Sequence, residues 1–183
     1  MTSAQGTVTR HWGTGLVISE VDLTGILQDS IASDLSPADM PFAQIPPSSV
    51  VADEAALRAE FLASMNALAD SHGSPPVTDV ELDVQVWRGG YDLPATSYAA
   101  DFVGWCFLAT SSTPQHSESG AIAIADPRAG SALTAMPGLP WGRQVMISPT
   151  PGAHAAVPGW LTCSVVPLEQ GQHAIVAIAA SVR

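Results

Sequence analysis

Apolar residues recur at helical spacing in one stretch of the chain and alternate or run together in most of the rest. Leu57, Phe61, Met65 and Leu68 repeat every three or four residues. Asp53 stands where an N-cap belongs, and Gly73 where a C-terminal glycine belongs, so a helix is expected over about 53–71. Leu23, Ile26, Leu27 and Ile31 suggest an earlier helix over Asp22–Leu35. Residues 36–49, with four prolines, read as a linker or irregular loop. Residues 7–19 read as one opening extended segment.

Past Ser74-Pro75-Pro76 the pattern changes to short apolar runs broken by Gly, Pro and Ser. These lie at 78–88, 101–109, 120–126, 143–149, 152–157, 160–166 and 173–182. Closely spaced strands point to a sandwich or barrel. Helices first and strands after give an α+β arrangement, with helices at about 22–72 packed on one face of a jelly-roll barrel at about 78–182. A chain of 183 residues fits one domain spanning 1–183.

Charge narrows the partners. The chain carries no Lys; six Arg face seventeen acidic residues, a net charge of −11. It cannot build a cationic face against phosphates, which excludes nucleic acid and argues against anionic membranes. Lysine nucleophiles and phosphate-loop lysines are absent too. No apolar run is long enough for a membrane span, and the first twenty residues show no secretory pattern, so the cytoplasm is the expected compartment. Cys106 and Cys163 alone cannot make a structural zinc site.

An ordered series of segments carries a resemblance: VQVWRGGYDLPATS at 84–97, DFVGWCFL at 101–108, SGAIAIADPR at 119–128, PGAHAAVPGWLTCSVVP at 151–167 and HAIVAIAAS at 173–181. The series resembles the 2-oxoglutarate/Fe(II) oxygenase family of small bacterial jelly-roll proteins related to prolyl hydroxylases. The resemblance implies a double-stranded β-helix, a cupin-like barrel. It also implies an Fe(II) centre of two histidines and a carboxylate, or a related histidine set, and an arginine clamp for 2-oxoglutarate. At the corresponding positions this chain has Ala95-Thr96-Ser97, Cys163 and Gln172-His173-Ala174. The resemblance therefore implies a degenerate member without the iron ligands, and no cofactor is expected.

Candidate chemistry follows from the same segments. Asp101 and Ser97 flank the lost iron site; a carboxyl group in an apolar barrel suits acid or base work. Arg128 is either the ion-pair partner that fixes a strand end or an anion contact. Cys163 reads as a small buried residue in the old ligand position, with a nucleophile as the alternative. Cys106 reads as a packed strand residue. Trp87, Tyr91, Tyr98, Trp105 and Phe107 are divided between core and pocket wall, and Gln85 points inward if Asp83, Gln85 and Trp87 alternate onto the barrel face. His116 lies in a polar loop, and His154 and His173 fall on strands. His154 is counted among the substrate-binding residues, and a replacement metal site of His154, His173 and Asp126 is an alternative without a spacing rule behind it.

These features lead to an expected metal- and 2-oxoglutarate-independent enzyme. It would act on a small, mostly apolar substrate in a cyclisation or isomerisation, in bacterial specialised metabolism. The alternatives are an oxygenase with a non-standard ligand set and a non-catalytic ligand-binding protein. A second copy of the chain is expected to cover exposed apolar strands, giving a homodimer.

Overall fold

A computed structural model describes residues 7–11, 13–31, 40–111, 116–128 and 143–182. In chain order it contains β1 (Thr7–His11), β2 (Thr14–Glu20), β3 (Phe42–Ile45), α1 (Glu54–His72), β4 (Val80–Arg88), β5 (Leu93–Thr96), β6 (Phe102–Thr110), β7 (Ile122–Ile124), β8 (Val145–Ile147), β9 (Ala153–Pro158), β10 (Cys163–Val165) and β11 (His173–Ser181). The strands form a seven-stranded sheet, β1-β2-β9-β6-β11-β4-β3, and a four-stranded sheet, β5-β10-β7-β8. Every pairing is antiparallel. From β4 to β11 the chain passes back and forth between the sheets, so the two close on each other as a double-stranded β-helix. No helix among the described residues is long and apolar enough to cross a membrane.

Strands β6 and β11 are buried on both faces for most of their length, which explains their near-continuous apolar sequence, whereas β4 alternates, with Glu81 exposed and Asp83 and Gln85 half-buried. On β4, Val80, Val84 and Val86 face the layer under α1, whereas Trp87 faces the barrel interior. On β11, Ile175, Ala177 and Ala179 face the helix layer, and Ala174 and Val176 the barrel. On β6 the same split separates Cys106 and Leu108 from Val103, Trp105 and Phe107. Full burial of one Leu, Phe or Met side chain contributes about 1.5–3 kcal/mol, so the two cores together hold the layers.

Helix α1 forms where its apolar spacing predicts. Asp53 caps it, its Oδ1 accepting from Ala56 N at 2.9 Å, and Gly73 closes it at φ 67°, donating to the Ala69 and Asp70 carbonyls. Leu57, Phe61, Met65 and Leu68 are fully buried against the large sheet. Phe61 settles over Gly104 of β6, where a Cβ would stand 2.9 Å from its ring. Arg58 donates to the Val80 carbonyl and pairs with Glu54, tying the helix to the start of β4.

Three expectations are corrected. Residues 22–31 form a turn and an isolated bridge, Leu27 to Val51, rather than a helix; residues 32–35 lie outside the described residues. Gly25 at φ 76° breaks the helical path, and the spacing of Leu23, Ile26, Leu27 and Ile31 reflects burial against the helix-side core. Within the expected linker, Phe42–Ile45 pairs with β4 as a strand, because the edge of β4 offers its backbone groups a ladder; Pro47–Ser49 makes one short 3-10 turn. The opening segment is a hairpin of β1 and β2 turning near Gly13 at φ 82°.

His154 of β9 sits in the helix–sheet seam. Its Nε2 meets Ser64 Oγ at 2.9 Å, and its ring packs edge-on to Phe61 at 5.0 Å. Burial pushes its pKa down from 6.5 to about 4. The folded state thus holds it neutral while the unfolded chain protonates it near the ordinary value. Its contribution is present above pH 6.5 and is lost as the pH falls towards 4, on the order of 3 kcal/mol in all. Urea denaturation across this range should show an acid-side loss that is distinctly smaller in His154→Gln; identical profiles would contradict this placement.

Candidate functional site

Among the described residues, apolar side chains pack the space between the two sheets. Trp87, Trp105 and Phe107 are buried with Ile122, Ile124, Ile147 and Leu161, so these three rings are core and not pocket wall as expected from sequence. Phe107 meets Trp87 edge-on at 6.0 Å, and Trp105 meets Tyr98 likewise at 5.6 Å. Tyr91 stacks on Trp87 at 5.1 Å, and Phe42 stacks on Tyr91 at 5.6 Å. The aromatic series therefore runs from the packed core out to the edge strand β3.

Where the packing ends, a cleft of about 430 Å³ opens between β3, β4, β5 and β11. Phe42, Tyr91, Tyr98, Leu93 and Ile178 supply apolar walls, and Gln44, Glu81, Asp83 and Gln85 supply polar groups. The inward alternation of β4 places Asp83 and Gln85 here, four and two residues before buried Trp87. Trp87 Nε1 donates to Gln85 Oε1 at 2.9 Å, and Gln85 Nε2 donates to Asp83 Oδ2 at 2.6 Å. Indole N–H can only donate, so the Gln85 amide has one orientation, and Asp83 is held as the acceptor at the outer end. Burial raises the pKa of Tyr98 to about 12, with Cys163 adding to the shift. Burial, then the charge of Asp92, raises that of Tyr91. Both phenols stay protonated at neutral pH and can donate.

The other expected residues lie elsewhere. Cys163 begins β10, paired with Thr96 of β5 and Ile124 of β7, and is buried in the barrel core. Burial pushes its thiol up to about 12, which makes it a packed residue and not a nucleophile. Asp101 is exposed and outside the barrel interior; it borders a separate groove of about 930 Å³ with His72 and Trp160. Ser97 is exposed, and its Oγ donates to the Trp160 carbonyl at 3.2 Å. Arg128 binds Asp126 through Nε at 2.9 Å and Nη2 at 2.6 Å, the ion pair at a strand end. His154 lies on the helix side of the large sheet, away from the substrate-binding place expected for it. His116 and His173 are exposed. Among the described residues no three His, Cys, Asp or Glu side chains gather to hold a metal, so His154, His173 and Asp126 do not form a replacement site.

The residues that sequence reasoning missed are Phe42, Gln44, Glu81, Asp83 as the terminal acceptor, and Ile178. Only the parity of β4 could have signalled Glu81 and Asp83; Phe42 and Gln44 arrive through β3, which has no strand pattern of its own.

An iron centre of the kind the resemblance implies does not fit these side chains. Thr96 and Cys163 are brought opposite one another, but they offer a hydroxyl and a high-pKa thiol in place of imidazole and carboxylate. At the clamp position Gln172 Oε1 accepts from Ser111 Oγ at 2.6 Å, and no described cation lines the cleft.

No family model matches the sequence, and no curated protein matches it. Among solved structures, a Pseudomonas putida prolyl-4-hydroxylase aligns at 15% identity over 72% of this chain and 68% of its own, with a TM-score of 0.50. A Burkholderia pseudomallei oxidoreductase of the 2OG-Fe(II) oxygenase family aligns at 9% identity over 91% of this chain and 68% of its own, with a TM-score of 0.44. The likeness to the hydroxylase is one of fold. This chain has an oxygenase-like scaffold.

Two outcomes test this geometry. Both thiols, with pKa values near 12, should resist a disulfide reagent in the native protein at mildly alkaline pH and react on unfolding; one fast native thiol would refute the placement of Cys163 or Cys106. The loop bearing Tyr98 is pinned to Gly159, which donates to Asp101 O at 2.9 Å and accepts from Tyr98 N at 2.8 Å. A Cβ at Gly159 would overlap the Ala100 carbonyl, so Gly159→Ala should lower stability by about 1–3 kcal/mol in urea denaturation.

Proposed function

We propose that the protein binds and transforms a small, mostly apolar organic molecule in the cleft at the mouth of the barrel, without Fe(II) or 2-oxoglutarate. The observation that carries this reading is the directed ladder Trp87–Gln85–Asp83, anchored in the core and ending in an aromatic-walled cleft. A cleft of about 430 Å³ is of ligand size, and its mixture of apolar walls with a few converging polar groups is that of a small-molecule site. A cyclisation or isomerisation needs a substrate held in one conformation, one group to take a proton and another to give one. Asp83 is the acceptor in this reading, and Tyr98 and Tyr91 are the donors. Their positions on the strand end and the pinned loop supply the orientation.

Tag-free protein incubated anaerobically with Fe(II) and 2-oxoglutarate, then desalted, should retain far less than one iron per chain by mass spectrometry. Retention of one iron per chain would overturn this reading in favour of an oxygenase.

A further inference from the structure

We infer that the mouth cleft selects a ligand carrying an ammonium group next to an apolar body. The inference rests on the cleft being the ligand site and names the class of molecule it takes. Three independent features of the cleft point the same way. The first is the direction of the ladder. Because Trp87 is a donor only, the chain of hydrogen bonds runs outward and ends at Asp83, which can offer a ligand acceptor oxygen and no donor. The second is charge. Glu81 stands two residues from Asp83 on the same face of β4, and these two carboxylates are the only charged side chains among the described residues that line the cleft. Asp92 adds a further acidic group beside Tyr91. An anionic ligand would meet like charge there. An ammonium donates to the carboxylates in charge-assisted hydrogen bonds, stronger than those a neutral hydroxyl can make. The third is the wall. Phe42, Tyr91 and Tyr98 bring aromatic rings to the same cleft, which attract a cation and also accept an apolar group, while Leu93 and Ile178 complete the apolar side.

The test compares three probes of matched size at neutral pH: phenethylamine, phenethyl alcohol and phenylacetate. The readout is the indole N–H resonance of Trp87 in two-dimensional NMR, identified by its displacement in Gln85→Leu, which removes its acceptor. Phenethylamine should shift this resonance and bind about tenfold or more tightly than the alcohol, and the carboxylate least of all. Asp83→Asn, of the same shape, should cost the amine about tenfold in affinity and the alcohol distinctly less. Glu81→Gln should weaken the amine less than Asp83→Asn does, and thermal melts would show both variants folded. Equal binding of all three probes, or an amine affinity unchanged in Asp83→Asn, would overturn the ammonium preference and leave the cleft as the ligand site. No response of the Trp87 resonance to any probe would overturn both.

Discussion

Strand β11 runs between β4 and β6 and joins all nine residues of β4 in one unbroken register, from His173 opposite Arg88 to Ser181 opposite Val80. This pairing places three strands at the centre of the large sheet with both faces available for burial. Helix α1 covers one face with Leu57, Phe61, Met65 and Leu68, and the small sheet covers the other with Ile122, Ile124, Val165 and Cys163. The helix and the small sheet can pack here because these strands present apolar side chains to each of them. On the barrel face of β4, polar side chains appear where the cover ends.

The candidate site is such a place. Along the barrel face of β4 the residues change from fully buried Trp87 through half-buried Gln85 and Asp83 to exposed Glu81. Trp87 cannot leave its N–H unpaired in the core, so the demand for an acceptor passes outward through Gln85 to Asp83. A requirement of core packing thereby fixes the orientation of the polar groups at the cleft. The loop with Tyr98 is fixed by an equally structural device, the close approach of its backbone to Gly159. Rigid surroundings of this kind suit a site that works by holding a molecule in one conformation.

Two positions that the resemblance singles out are held by ordinary packing and hydrogen bonds: Cys163 in the barrel core, and Gln172, whose Oε1 accepts from Ser111 Oγ. Cys163 fills its place in the barrel core, where burial keeps its free thiol protonated at neutral pH. Asp126 and Arg128 satisfy one another at the end of β7. At the cleft, carboxylates, amides and phenols meet aromatic rings.

The periodicity of residues 53–71, the short apolar runs after residue 78 and the alternation Asp83-Gln85-Trp87 were legible in the amino-acid sequence, because helix spacing, strand parity and end caps are local properties. So was the buried, small-residue character of Cys163. The false helix over 22–35 shows the limit: apolar spacing records which residues are buried and cannot say by what, and at Gly25 the backbone turns away. Tertiary structure alone decided that Phe42–Ile45 becomes a strand, since its ladder is supplied by β4, nearly forty residues further along the chain. It also decided that His154 faces Ser64 instead of the barrel and that Trp105 and Phe107 pack the interior instead of lining a pocket. Finally, it decided that the cleft gathers side chains from β3, β4, β5 and β11, because convergence of distant strands is a property of the closed barrel and leaves no trace in the spacing along any one of them.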